Sequence, residues 1–307
     1  MSDCEPTLQA EDKARIQASP RPALPLVSVL VPSYNHATYI TQCVESIVKQ
    51  TYGLVELIVI DDGSSDGSVE ILKELCERYD FRFVVQENVG IARTLNRGIG
   101  IAKGKYICIC ASDDYWAPNK VEHQVLLMEN DPNMVMCFTG YFGVDSNSNI
   151  ILDRKVVKNA GRKLDFEHVL MYADLPPASI MMRSDELRRI GGFDPGLHVE
   201  DFDVWLGLLK NGGYAVVSEK KLAFYRMHEK NFIVGNLELV KDEHFYTVKK
   251  YLPFSRRRLR VVAEWSLRNA VMLASVNRKK SFMYLKRGLW RLWDMRIYKT
   301  LWKYLVR

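Results

Sequence analysis

From Leu26 to Cys110, short apolar runs alternate with stretches whose apolar residues recur every three or four positions. The runs 26–32, 55–61, 81–86 and 106–110 read as strands, and 37–49, 66–79 and 90–102 as amphipathic helices between them. Repeated strand–helix–strand units of this length predict an α/β fold around a mostly parallel central sheet. Past Pro118 the spacing predicts a helix to about Asn130, a strand entering a hairpin over 135–145, and a helix over 162–173. Residues 176–213 then read as a short strand, a helix capped by Ser184, a Gly-Gly stop and a helix opening on Glu200 and Asp201. Strands over 214–219 and 222–228 follow. Beyond Asn236 the pattern is helical over 237–251, 255–276 and 279–305, whereas the polar, proline-bearing residues 1–25 read as a flexible lead. The chain thus divides into 1–25, a sheet domain over 26–235 and a helical extension over 236–307.

The predicted strand ends are polar, and in open α/β sheets the crevice beyond them is where ligands bind. The first ends in PSYN and the second in DDGSSDGS, where Gly63 permits a tight turn and Ser65 or Asp66 can cap the next helix. Asp62 is placed either to accept the imide N–H of a pyrimidine base or to support its own turn. The buried run ending at Cys110 delivers Ser112, Asp113 and Asp114. Two adjacent like charges there call for a cation, a water network or a cationic ligand. Otherwise Asp114 or Asn119 caps the helix that Pro118 opens. Arg93 and Asn96 stand on neighbouring turns of the third helix. Glu200 and Asp201 suit a first helical turn on dipole grounds alone, and a lone histidine such as His228 says little by itself. Neither GxGxxG nor a Walker lysine loop is present.

Composition adds two limits. With 48% hydrophobic and 26% charged residues in 307, the chain is ordinary globular material. The six cysteines form no CxxC pair, so buried reduced thiols are expected rather than disulfides or zinc. No apolar stretch reaches the roughly 18 residues of a membrane span, and the acidic N-terminus is unlike a signal peptide, which predicts a cytoplasmic chain. Charge is unevenly placed. The net +6 combines about +13 over 255–307 with about −7 elsewhere, so the tail suits an anionic membrane surface, nucleic acid or the chain's own acidic body. In 281–307, aromatic and leucine residues at helical spacing are set among Arg and Lys. This is the make-up of a helix lying on anionic lipid, or of one packed on protein. Nucleic acid is disfavoured because no reading motif accompanies the charge.

Six blocks in order, VSVLVPSYN, QTYGLVELIVIDDGSSDGS, ENVGIARTLNRGI, ASDDYWAPNK, GGFDP with VEDFDVWLGLL, and YRMHEKN, make residues 26–232 resemble glycosyltransferase family 2. That resemblance implies a GT-A fold, an inverting mechanism and a nucleotide-sugar donor, most simply a UDP- or dTDP-sugar. It also implies that Pro32 and Tyr34 line the base pocket, Asp62 accepts from the base, and Arg93 and Asn96 contact the nucleotide. Asp113 falls on the metal-binding acid of the DxD motif, Asp201 on the catalytic base of the ED motif, and His228 on a late histidine that reaches the metal or diphosphate. The first acid of DxD is Ala111 here, leaving Ser112 or Asp114 to contact the ribose.

The chemistry makes matching demands. A departing diphosphate gathers negative charge that Mn2+ or Mg2+ on hard carboxylate oxygens neutralises, and an acceptor hydroxyl needs an ionised carboxylate to take its proton. Asp201, at a helix N-terminus, is expected to be held ionised. The expected function is transfer of a sugar to a hydroxyl of a glycan or lipid-linked acceptor in cell-surface polysaccharide synthesis, on the inner face of the cell membrane, with a second copy of the chain as a candidate partner. The competing expectation is a non-catalytic nucleotide-sugar-binding or scaffold subunit.

Overall fold

The computed structural model describes residues 24–153, 157–172, 175–228, 236–253 and 255–288. Most of the expected N-terminal lead and the last turns of the expected 279–305 helix lie outside them.

Strand β1 (Val27–Ser33) is followed by α1 (Ile40–Val48), β2 (Val55–Asp61), α2 (Ser68–Tyr79), β3 (Arg82–Val85), α3 (Ile91–Ile101) and β4 (Tyr106–Ile109). These four strands are parallel, with β1 between β2 and β4. Side chains of a strand alternate between faces, and both faces here are covered. Val27, Val29 and Val31 pack with Ile40, Val44 and Ile47 of α1, whereas Leu30 packs with Leu95 and Ile99 of α3. Gly98 lies against Leu30, whose side chain would be 3.0 Å from an added Cβ.

The second half of the sheet is mixed. After β5 (Tyr115–Trp116) and α4 (Lys120–Asn130) come β6 (Met134–Val144), β7 (Ile150–Leu152), β8 (Lys163–Leu164), α5 (Phe166–Tyr172) and β9 (Met181–Arg183), then α6 (Ser184–Arg189), α7 (Asp201–Leu209) and β10 (Tyr214–Arg226). The sheet order is β3-β2-β1-β4-β9-β6-β10-β5, with β7 on β6 and β8 on β10. Strand β9 runs antiparallel between β4 and β6 and so joins two parallel sets. The two strands expected over 214–228 are one long strand, its register with β6 shifting between Val217 and Ala223.

Two expected caps are replaced. Ser184 lies inside α6 and donates its hydroxyl to Gly104 O at 2.6 Å, tying the helix to the loop before β4. Neither Asn119 nor Asp114 caps α4; the Val121 N–H donates instead to Gln50 Oε1 at 2.9 Å.

Helices α8 (Leu237–Tyr251), α9 (Arg256–Leu273) and α10 (Arg278–Gly288) complete the described chain. Ser255 caps α9 by accepting from the Arg258 N–H at 3.1 Å. Phe245, Val248, Trp265 and Leu285 share one core with Phe202 and Trp205 of α7, and the Trp265 indole N–H reaches Leu170 O at 2.8 Å. Part of the extension's charge meets the chain's own acids: Lys280 pairs with Glu238 and Asp242, and Arg257 with Glu167. Among the described residues no helix is long and apolar enough to cross a membrane.

Candidate active site

The site begins where β1 and β4 separate toward different neighbours, a topological switch point. The loop after β1 is fixed by the loop after β2. Asp61, fully buried, accepts from the Ser33 and Ser64 hydroxyls, Ser64 Oγ accepts from the Asn35 N–H at 2.8 Å, and Ser68 Oγ from the His36 N–H at 3.2 Å. Asn35 adopts φ 54°, a left-handed conformation that asparagine tolerates. Asp66 accepts from the Ala37 and Ser68 N–H groups. Burial pushes its carboxyl up, but these bonds and the Ser68 hydroxyl hold it below its ordinary value.

At the end of β4 the two adjacent acids part. Asp113 is 8% exposed, and its Oδ2 lies 3.1 Å from His228 Nε2 and 4.0 Å from His36 Nε2. Asp114 turns inward, 2% exposed; its Oδ1 accepts the Arg226 N–H at 2.8 Å, and its Oδ2 has no hydrogen-bond partner among the described residues. Burial, then the charge of Asp113, push the Asp114 carboxyl well above the carboxylate range. Of the expected pair of like charges, Asp114 is the one whose charged form burial disfavours. Ser112, also buried, places its hydroxyl 2.8 Å from His36 Nδ1.

The third contributor is the end of β10. Arg226 is 1% exposed and donates to Asp113 O, Asp145 O, Ser146 O and Gln42 Oε1, with its guanidinium 4.5 Å from the Tyr39 ring centre. The His228 ring stacks on that tyrosine at 5.4 Å. One buried cation thus binds the 113–114 turn, the 145–148 loop and α1 into a unit.

The remaining expected residues divide. Tyr34 is 50% exposed beyond β1, Pro32 is half-buried within it, and Arg93 is exposed on α3. Asp62 is engaged by the chain itself, accepting from Gln86 Nε2 at 2.7 Å and from the Val89 and Gly90 N–H groups at 2.9 Å each. These bonds hold the 86–90 loop and not the turn that Asp62 itself belongs to. Asn96 is similarly committed. Its amide donates to Phe193 O and accepts from Phe193 N, both at 2.8 Å, and an added Cβ on Gly192 would stand 2.3 Å from Asn96 Oδ1. It pins the Gly-Gly-Phe turn.

Asp201 opens α7, with Oδ1 accepting the Phe202 N–H at 2.6 Å. At Asp201 burial outweighs the backbone hydrogen bonds and pushes the carboxyl up to about 6. Glu200 is pushed up to about 8, by burial first and the Asp201 charge second. Asp201 is then ionised and Glu200 neutral near pH 7. The loop before them is held by α8: Glu243 accepts from the His198 and Val199 N–H groups at 2.9 and 2.8 Å, and Lys250 pairs with Asp203 at 2.9 Å and Asp194 at 3.2 Å. Tyr225 links the two acidic corners. Burial pushes its hydroxyl up to about 12, and the charges of Asp114, Asp113 and Asp201 all add to the shift.

His36, Arg226 and Glu243 were not among the expected site residues. The signal for His36 was present in its position, three residues past the end of the strand beside Asp113. Glu243 offered none, being an acid on a charged helix face.

The donor set His36, Asp113 and His228, with ligand atoms within 4.8 Å of one another, fits a divalent cation in number, type and spacing.

Comparison with known proteins gives a match to the model of glycosyl transferase family 2 over residues 28–186. The chain is 32% identical over 207 residues to a putative teichuronic acid biosynthesis glycosyltransferase, TuaG of Bacillus subtilis, covering 66% of this chain and 79% of that one. It is also 32% identical over 190 residues to an uncharacterised glycosyltransferase of Rickettsia typhi, covering 61% of this chain and 59% of that one. The chain therefore spans about three fifths of that relative's length. Among solved structures it resembles Staphylococcus aureus TarS in complex with UDP-GlcNAc (TM-score 0.66, 17% identity, 85% of this chain and 79% of that one). It also resembles the Pyrobaculum calidifontis mannosyltransferase PcManGT in complex with GDP-Man and Mn2+ (TM-score 0.62, 18% identity, 92% and 81%). These likenesses establish the GT-A fold.

Proposed function

Since this chain belongs to glycosyl transferase family 2, we infer that it is an inverting, cation-dependent enzyme moving a sugar from a nucleoside diphosphate donor, a UDP- or dTDP-sugar, to a hydroxyl of a glycan or lipid-linked acceptor. The observation that carries this reading is the approach of His228 Nε2 and His36 Nε2 to one oxygen of Asp113 at the strand ends, with Asp201 on the first turn of α7 as the separate carboxylate. TuaG's name and the UDP-GlcNAc bound to TarS support a polysaccharide context and a uridine donor.

Asp113 and His228 would hold Mn2+ or Mg2+, which when bound neutralises charge on the departing diphosphate. Exposed Tyr34, with Pro32 below it, suits stacking on the base, and Arg93 suits the donor's negative charge. Ser112 is the candidate for the ribose contact that Ala111 cannot make, because Asp114 turns inward onto the Arg226 N–H. Asp201 takes the proton of the acceptor hydroxyl as its oxygen bonds to the anomeric carbon and the bond to the diphosphate oxygen breaks. The carboxyl value near 6 suits that role, because the group is ionised at neutral pH yet basic enough to accept a proton. One displacement assisted by one base inverts the anomeric centre.

Residues 26–235 would carry the donor chemistry, and the basic residues of 255–307 would bring the enzyme to an anionic inner membrane surface. Transfer from radiolabelled UDP-sugars and GDP-Man, with NMR of the product's anomeric configuration, tests the reading. It predicts an inverted product that requires Asp201; retention of configuration would refute it.

A further inference from the structure

Asp113 is flanked by two imidazoles, not one. His228 Nε2 and His36 Nε2 approach the same oxygen, Oδ2, at 3.1 and 4.0 Å, and the two rings meet edge to face at 5.9 Å. Ligands about 2.1 Å from a common ion stand about 3 Å apart at right angles and about 4 Å apart when opposed, so these three atoms need little movement to share one ion. We propose that His36 is the third protein ligand of the site, so that two imidazoles and one carboxylate hold the ion. The proposal rests on the donor-binding reading above and adds a ligand that reading does not name.

The setting of His36 supports a ligand role. Its Nδ1 lies 2.8 Å from the hydroxyl of buried Ser112. With the Nδ1–H donated to that oxygen, the Nε2 lone pair is directed toward Asp113, the tautomer an ion requires. The main chain fixes the ring's origin, since the His36 N–H donates to Ser68 Oγ and the neighbouring Asn35 N–H to Ser64 Oγ. Ser112 is thereby a positioning residue for the ion as well as a neighbour of the donor. Magnesium demands an octahedron of oxygens and parts with water reluctantly, whereas imidazole nitrogen favours later divalent ions in the order manganese, iron, cobalt. Three protein ligands leave positions open for diphosphate oxygens.

The test is titration of the full chain with Co2+, followed by its visible absorption and then by displacement with Mn2+ or Mg2+, with and without UDP. The wild-type protein is expected to bind Co2+ and Mn2+ more tightly than Mg2+. His36→Gln should lose about 10- to 100-fold in Co2+ affinity while Mg2+ affinity changes little, and Ser112→Ala should lose about tenfold; circular dichroism establishes that each variant is folded. If His36→Gln binds Co2+ like the wild type while Asp113→Ala does not, the third-ligand proposal fails and the donor-binding reading stands. If none of the three ions binds the wild type even with UDP, both fail.

Discussion

The two acidic corners of the site are held in opposite ways. Asp113 stands where β1, β4 and β10 end together, and its contacts come from the sheet domain: His36, Ser112, Arg226 and His228. Asp201 stands on the first turn of α7, and the loop leading to it is gripped from outside by Glu243 and Lys250 of α8. The family match, residues 28–186, takes in His36, Ser112 and Asp113 of the first corner and stops before Arg226, His228 and Asp201. A cation site asks for fixed ligands, which converging strands supply. The Asp201 corner is instead built on a helix start steadied by the extension.

The comparison is broken most sharply by Asp201→Asn. We expect transfer to fall by about 10^2- to 10^4-fold with Mn2+-dependent donor binding unchanged, read by turnover and thermal shift in parallel; loss of both would make Asp201 a structural residue. Asp113→Ala should do the reverse, removing metal-dependent donor binding first, and an unaltered Mn2+ titration would dismiss that assignment. Glu243→Gln sharpens the contrast, because it loosens only the second corner. It should lower kcat by up to about 10^2-fold and leave Mn2+ affinity intact, so equal losses in both would show that α8 supports the whole site.

Protons give a smaller effect with a definite sign. Asp201 must be ionised to act, so kcat should rise with pH through about 6. Stability should move the other way. Carboxyls raised to about 6 and about 8 in the folded state contribute stability that is complete below their unfolded values and lost as pH rises through the folded ones. Glu200→Gln should therefore flatten that decline and melt a few degrees above the wild type near pH 9; coincident melting curves across the range would contradict it.

The sequence made the first half of the sheet readable because each strand and helix there carries its own period, and Asp113 stood out because a buried run delivered it. Asp201 was visible only through the family blocks, since a first-turn acid has an ordinary local explanation. What stayed hidden depends on elements meeting in space. The two hydrogen bonds of Asn96 to Phe193, 97 positions away, leave no mark in the local sequence. Asp62 is consumed by the 86–90 loop. His36 gains meaning only once β1 pairs with β4 and β10 brings His228 beside it. Burial likewise raises the Asp201 carboxyl to about 6, a shift that its helix-terminal position alone does not show.

The most direct measurement is anomalous scattering from crystals grown with Mn2+ and UDP. The account predicts a single peak about 2.2 Å from Asp113 Oδ2 and His228 Nε2, with the Asp201 carboxylate facing it across the open crevice and bound to no ion. A peak at the Glu200 and Asp201 carboxyls, or packed side chains filling the space between the two corners, would contradict it.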